Sequence, residues 1–487
     1  MISRPDFLPQ RTWLLVLLCL SCERAPAAPT RLQRPATAGL IARVDSAQLA
    51  RLVDSAMLAG MARESIPGAA FVLVRKDRVI LAKGYGKADV RSGRPWDASR
   101  TIFPIASVTK VFTATAVMQL ADQGRIDLNA DVNRYLTSLR VAQTYAEPVT
   151  AAHLLSHTAG FDEIPGRQVR SRRELMPIGQ FLRKRLVRIH PPGRITSYST
   201  YGMALAGLLV EDVSGVPYED YLRRYIWQPL GMIRTSITPP GAPETLATAY
   251  EWQGDSLTAI PYEVYQTPSA SSILSTAEDM GHFLIAHLQN GRYGAGRILS
   301  DSTARRMHRR YATMHPLISG WTLGFQENEA NGRHLIEHGG DIGGFSALLS
   351  LLPEDELGFF VVHHLEGRNL RFDLRQLILD QSFPAVPPPK PPGPAATDAG
   401  RLRRFAGKYR ASIYCHSCRD GGPNVQEFEV TANQDGTVSI WGEHWTQVGP
   451  LYFASADGRK NLGFAEDQAG RIIALTAGSW RVLERID

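Results

Sequence analysis

The chain has 487 residues, 44% hydrophobic and 21% charged, with a formal net charge of +7. This is the composition of a globular protein long enough for one large and one small domain. The modest positive excess suits association with an anionic cell envelope, and no stretch carries a nucleic-acid-binding signature.

The N-terminus reads as an export leader. Arg4 and Arg11 give a positive start ahead of an apolar run, 13–20, too short to span a bilayer. Ala25-Pro26-Ala27 fits a small-residue cleavage site, so residues 1–27 are expected to be removed and the chain to be periplasmic or secreted. Ser21-Cys22 is the rival processing site, which would leave a lipid on Cys22. No later run is long and apolar enough for a membrane helix. Residues 28–44 read as a disordered lead-in, Pro- and Ala-rich at its start.

From 45 to 63, Leu49, Leu52, Val53, Met57 and Met61 recur at helical spacing. The Val- and Ile-rich runs 69–74 and 79–83 form a predicted hairpin about Arg75-Lys76-Asp77-Arg78. Residues 111–118 contain no charge, Gly or Pro and predict a buried helix that stops at Gly124. Ser107 stands at its start, where Ser is a favoured cap, and Lys110 follows one turn on. A Lys there opposes the helix dipole, so helix stability does not ask for it. Most S-x-x-K sequences are a cap and a solvated Lys. The chemical reading is a nucleophile beside a proton acceptor, as in serine acyl-transfer enzymes.

Thr150 is the predicted cap of a helix over 151–157. His153 and His157 share its face, but with no Glu partner or third ligand they read as packing or capping residues rather than a metal pair. The Arg-rich stretch 167–194 reads as solvated surface, with a basic rim attracting anionic substrates as the functional alternative. Tyr198-Ser199-Thr200 leads into an apolar helix to about 213, and Ser275-Thr276 starts another. From 322 the period becomes that of strands, 323–326, 334–337, 345–352 and 358–363, with His338-Gly339-Gly340-Asp341 between two of them. A helix over 370–381 follows. The expected fold is α+β, an antiparallel sheet built from both ends of the region with a helical insert.

Residues 384–400 read as a stiff Pro-rich linker. Residues 401–487 have short strands and polar turns, with Trp441, Trp445, Tyr452, Phe453, Phe464 and Trp480 as the core of a small all-β domain, barrel or sandwich. Cys415-His416-Ser417-Cys418 reads as a local disulfide or two free thiols, since half a zinc site would need a second Cys/His pair at ligand spacing.

Ser107-x-x-Lys110, Tyr198-x-Thr200 and His338-Gly339-Gly340, in that order, resemble the motifs of the serine β-lactamase and penicillin-binding superfamily, in its class C-like branch. The stretches 105–110, 154–160, 229–232, 275–279 and 344–346 repeat the family's order and spacing, and the resemblance spans residues 45–383. It implies a β-lactamase/transpeptidase-like sheet and an acyl-enzyme serine hydrolase without metal or organic cofactor. It makes Ser107 the nucleophile, Lys110 its proton acceptor or relay, and Tyr198 the second proton-transfer group. His338 falls on the strand edging the site. The N–H groups of Ser107 and of Asp341 make the oxyanion hole, with Gly340 and Thr200 beside the substrate. Cations near Tyr198 are expected to lower its pKa, and His338 to give a pH dependence near neutrality. Relatives usually carry Tyr-x-Asn, whereas Thr200 offers one hydroxyl in place of an amide's donor and acceptor. That change favours ester or small acyl or amide substrates. A D,D-peptidase, D-aminopeptidase or β-lactamase acting on cell-wall peptides or β-lactams is the alternative, and an inactive envelope-binding protein the third reading.

Overall fold

The computed structural model describes residues 46–239, 241–383, 399–418 and 425–487. The leader, Cys22, the lead-in and almost all of the Pro-rich segment lie outside the described residues. Gly68–Arg75 (β1) is apolar on both faces and buried along nearly its full length, which makes it a central strand. It pairs antiparallel with Arg78–Asp89 (β2), which continues to Arg94–Pro95 (β3). The other side of the sheet comes from far along the chain: Gln326–Ala330 (β4), Arg333–Ile342 (β5), Phe345–Leu352 (β6) and Leu357–His364 (β7). The order is β4-β5-β6-β7-β1-β2-β3, so strands from both ends of the region meet where Phe71 faces Val361. The first late strand begins at Gln326 rather than 323, and the His338-Gly339-Gly340 triplet lies inside β5 rather than between strands.

Ser46–Arg63 (α1) and Leu370–Ser382 (α6) cover one face, burying Val53, Met57, Leu374 and Ile378 against Phe71 and Val361. The other face packs on the helical middle: Thr109–Asp122 (α2), Ala151–Leu155 (α3), Thr200–Ser214 (α4) and Ala277–Leu288 (α5). Their ends follow sequence signals. Thr150 and Thr276 cap α3 and α5, and Gly215, at φ 72°, stops α4 in the left-handed conformation that Gly favours. Among the described residues no helix is long and apolar enough to cross a membrane.

Eight strands, from Gly407–Ala411 to Val482–Arg485, close a barrel filled by Tyr409, Trp445, Phe453, Phe464 and Leu475. Trp480 is not part of that core. It is half-exposed and stands on the turn before the last strand. Cys415 and Cys418 form a disulfide.

Candidate active site

Ser107 does not cap α2. It lies in a 3-10 turn, Ala106–Val108, that feeds the helix, and no side chain caps the junction. Ala106 has φ 49°, a left-handed conformation that costs a non-Gly residue about 1–2 kcal/mol. The surroundings hold it there. The Ile105 N–H donates to the Ile273 carbonyl at 3.0 Å, and the Ile273 N–H donates to Thr109 Oγ1 at 3.1 Å. Lys110, one turn on, points inward and is 1% exposed. Its Nζ donates to Ser107 Oγ at 3.0 Å and to the Ala270 carbonyl at 2.8 Å. Burial pulls its pKa down to about 7; the Glu163 charge opposes this and Arg167 adds to it. The awkward charge at the helix start is therefore an amine close to neutrality beside a hydroxyl.

Tyr198 is buried beside them, with Lys110 Nζ 4.9 Å from its ring centroid. Burial raises its pKa well above the ordinary phenol value, and a hydrogen bond with Ser107 only partly opposes this. The expected depression by neighbouring cations is thus reversed: removing a phenolate from water outweighs the Ser107 hydrogen bond and the attraction of Arg167. His338 is also buried. Its Nδ1–H donates to the Gly339 carbonyl at 2.7 Å, and Nε2 has no hydrogen-bond partner among the described residues. Burial, then the Lys110 charge, lower its pKa to about 3. His338 stays neutral through the physiological range, and of the two groups it is Lys110 whose pKa lies near 7.

His157 lies 4.4 Å from Tyr198, ring to ring, and accepts the Ser199 N–H at Nδ1 at 3.1 Å. His153 closes the capping box with Thr150, so the two histidines have separate tasks. Two tryptophans complete the wall. Trp480 lies 4.6 Å and Trp321 5.9 Å from the Tyr198 ring, and Trp321 Nε1 donates to the Ser479 carbonyl at 2.8 Å. Reading Trp480 as barrel core missed this, because a solvent-facing aromatic on a turn has no periodic signature.

Thr200 faces a residue the motifs did not single out. Its N–H donates to Glu163 Oε2 at 2.8 Å, its hydroxyl also bonds Glu163, and Arg167 Nη1 donates to Oε1 at 2.9 Å. Burial raises the Glu163 pKa, opposed by Arg167, Thr200 and Lys110. The available sequence signal was the i, i+4 spacing of Glu163 and Arg167. Within the basic stretch, Arg170, Arg172, Arg173, Arg183, Lys184 and Arg194 are exposed, whereas Arg188 is buried.

The last wall is β5. Its pairing with β4 ends at Gln326–Glu337, so among the described residues no strand pairs with that edge from His338 on, and it packs against the Ser107 turn. Gly340 is required there: a Cβ would fall 2.8 Å from the Ser107 N and from the Ile105 carbonyl oxygen. The Asp341 side chain is tied up elsewhere, accepting from Arg371 Nη2 at 2.8 Å and Ser346 Oγ at 2.5 Å, so only its backbone is available to the cleft. The cleft has a volume of about 850 Å³, with Ser107, Tyr198, Gly340, Asp341, Trp441 and Trp480 in its walls.

Comparison with known proteins covers most of this architecture. A beta-lactamase family model matches residues 53–382. The chain is 28% identical over 317 residues to Protein flp of Staphylococcus aureus (strain N315), a match covering 62% of this chain and 60% of that protein. It therefore spans about three-fifths of such curated relatives. It is 30% identical over 312 residues to Penicillin-binding protein 4 of Amycolatopsis lactamdurans, covering 59% of this chain and 78% of that one. The octameric penicillin-binding protein homologue from Pyrococcus abyssi superposes with a TM-score of 0.60 at 22% identity, over 89% of this chain and 99% of that one.

Proposed function

Because the chain belongs to the beta-lactamase family, whose members are serine hydrolases, we propose that it hydrolyses esters or small acyl groups through an acyl-enzyme on Ser107. The observation that carries this reading is the buried Lys110 amine, 3.0 Å from Ser107 Oγ with a pKa of about 7. Neutral Lys110 takes the hydroxyl proton as Oγ attacks the carbonyl carbon. The N–H groups of Ser107 and Asp341 hold the developing oxyanion. Tyr198, kept protonated by burial, gives its proton to the leaving oxygen and is reprotonated from Lys110. In deacylation neutral Lys110 takes a proton from water, whose oxygen attacks the acyl carbon, and that proton passes to Ser107 Oγ as the acyl–oxygen bond breaks, restoring both groups. Neutral His338 packs beside Tyr198 and adds no charge.

Two features support an ester over an amide. Thr200 is engaged by Glu163, leaving no counterpart to the family's substrate-facing amide side chain. Trp480 and Trp321 offer apolar surface beside Tyr198, suited to an alkyl or aryl group. One observation favours a second reading, a peptidase acting on cell-wall-type peptides: the free edge of β5 from His338 onward is a template for an extended main chain. Substrate turnover separates the two. Short-chain p-nitrophenyl esters are expected to turn over at least about 10-fold faster, in kcat/KM, than a β-lactam or a peptide ending in D-Ala-D-Ala, a margin of about 1.4 kcal/mol. A faster peptide selects the second reading.

Covalent labelling tests the enzyme assignment itself. A fluorophosphonate probe is expected to add one mass adduct at Ser107, absent in Ser107→Ala. A chain that never labels is an envelope-binding protein instead. Trp480→Ala is expected to raise KM for aryl esters about 3- to 10-fold while leaving kcat nearly unchanged, because the ring offers uniform binding surface remote from the bond being broken. An equal fall in kcat would instead make Trp480 part of the arrangement around Tyr198.

A further inference from the structure

Away from the cleft, three side chains from distant parts of the sequence converge. His190 lies in the segment leading to Tyr198, where the Ile189 N–H donates to the Gly160 carbonyl at 2.9 Å. His416 lies within the loop closed by the Cys415–Cys418 disulfide. Glu484 is in the last barrel strand and is 9% exposed. We propose that His190, His416 and Glu484 form a binding site for a divalent transition-metal ion of the Zn²⁺ class, fastening the Tyr198 segment to the barrel.

The donor atoms are already gathered. His416 Nε2 is 2.9 Å from Glu484 Oε1, His190 Nε2 is 3.2 Å from Glu484 Oε2, and one donor atom from each residue fits within 4.8 Å of the other two. Tetrahedral ligands with bonds of about 2.0–2.1 Å stand about 3.3 Å apart, so the side chains need only small adjustments to admit an ion. The imidazole orientation is also set. His416 Nδ1 is directed at the Tyr414 carbonyl, 3.2 Å away, with Asp162 Oδ1 at 3.6 Å, which leaves Nε2 towards the other two ligands. His190 Nε2 is buried, and among the described residues it makes no well-directed hydrogen bond, its contact being the ion pair with Glu484 Oε2 at 3.2 Å. An ion would bind that atom directly in place of its contact with Glu484 Oε2.

Charge fits as well. The Glu484 and Asp162 carboxylates supply two negative charges at or beside the ion. Arg194, Arg404, Arg471 and Arg485 line the same pocket as His190 and Glu484, and the last three are paired with Glu466, Asp467 and Asp487. Two imidazoles and a carboxylate suit Zn²⁺, and water would fill the fourth position. Sequence spacing pointed away from a metal because the ligands are spread over residues 190–484 instead of standing in local pairs. The site would act on positioning: the Ser197 hydroxyl donates to the Ser412 carbonyl at 2.8 Å and the Ser412 hydroxyl to the Thr196 carbonyl at 3.2 Å, immediately before Tyr198.

The test uses the full chain without reductant, stripped with a chelator and then titrated. Zn²⁺ is followed by competition with a chromophoric chelator and Co²⁺ by its visible absorption. One equivalent is expected at micromolar affinity or tighter, together with a rise in Tm. His190→Ala and Glu484→Gln should each weaken Zn²⁺ binding by about 100-fold, with far-UV circular dichroism confirming that the metal-free variants are folded. If His190→Ala does not fold, His190→Gln replaces the imidazole while keeping a polar side chain. The proposal is overturned if the wild type takes up no saturable equivalent, making the cluster a hydrogen-bonded ion pair. Unchanged affinity in folded variants overturns it too, as does uptake only after reduction, which would assign the ion to the Cys415 and Cys418 thiols.

Discussion

Lys110→Met is expected to lower kcat/KM by about 10⁴-fold or more, with the fold intact. Removing one member of a nucleophile–base unit costs nearly as much as removing the unit, and Met fills the same buried volume without a charge. The wild-type pH profile carries the more specific signature. Lys110 accepts a proton only when neutral, and its pKa lies at about 7. The rate should therefore be low in acid, rise through about pH 7 and level off above it. His338, at about 3, contributes no limb in that range. Glu163 raises the lysine pKa, so Glu163→Gln should move the rising limb to lower pH. A limb that stays put would remove Glu163 from the electrostatics of the site, and a rate falling through pH 7 would remove Lys110 as the base.

Gly340→Ala is expected to cut kcat by about 10²- to 10³-fold, the loss that follows when an oxyanion donor is displaced. The added methyl would meet the backbone of the clamped Ser107 turn at 2.8 Å, where no flexible side chain can yield. Either the turn or the edge of β5 must retreat, separating the two N–H donors. Gly339 is the internal control. A Cβ there meets nothing closer than the Ala347 carbonyl oxygen at 3.9 Å, so Gly339→Ala should remain close to wild type. Equal losses in both variants would mean that the strand needs glycine for flexibility and that the steric account is wrong.

Much of this molecule was legible from its sequence because the relevant signals are local. The hydrophobic periods located α1, α2, β1 and β6, the Thr and Gly signals located helix ends, and the joining of early and late strands followed from their placement in the chain. Ser107, Lys110 and Tyr198 were identified by motif, and the structure brings them together. What escaped notice depends on burial or on distant contact. Whether Lys110 and Tyr198 keep their protons depends on how far each is withdrawn from water, which spacing does not encode. Glu163 becomes part of the site only when α4 brings Thr200 onto it. Trp480 was misread because core and wall aromatics look alike until the barrel closes.

The Trp480 turn has an evolutionary consequence. It joins two barrel strands, and the Ala477 N–H bonds the Arg481 carbonyl at 3.0 Å across its base. Loops closed in this way tolerate insertion and deletion. Lengthening or shortening the turn would reshape the wall over Tyr198 while leaving the Ser107–Lys110 pair, on another part of the chain, untouched. Substrate preference in such an architecture can diversify through indels in an appended domain, at little cost to the chemistry it serves.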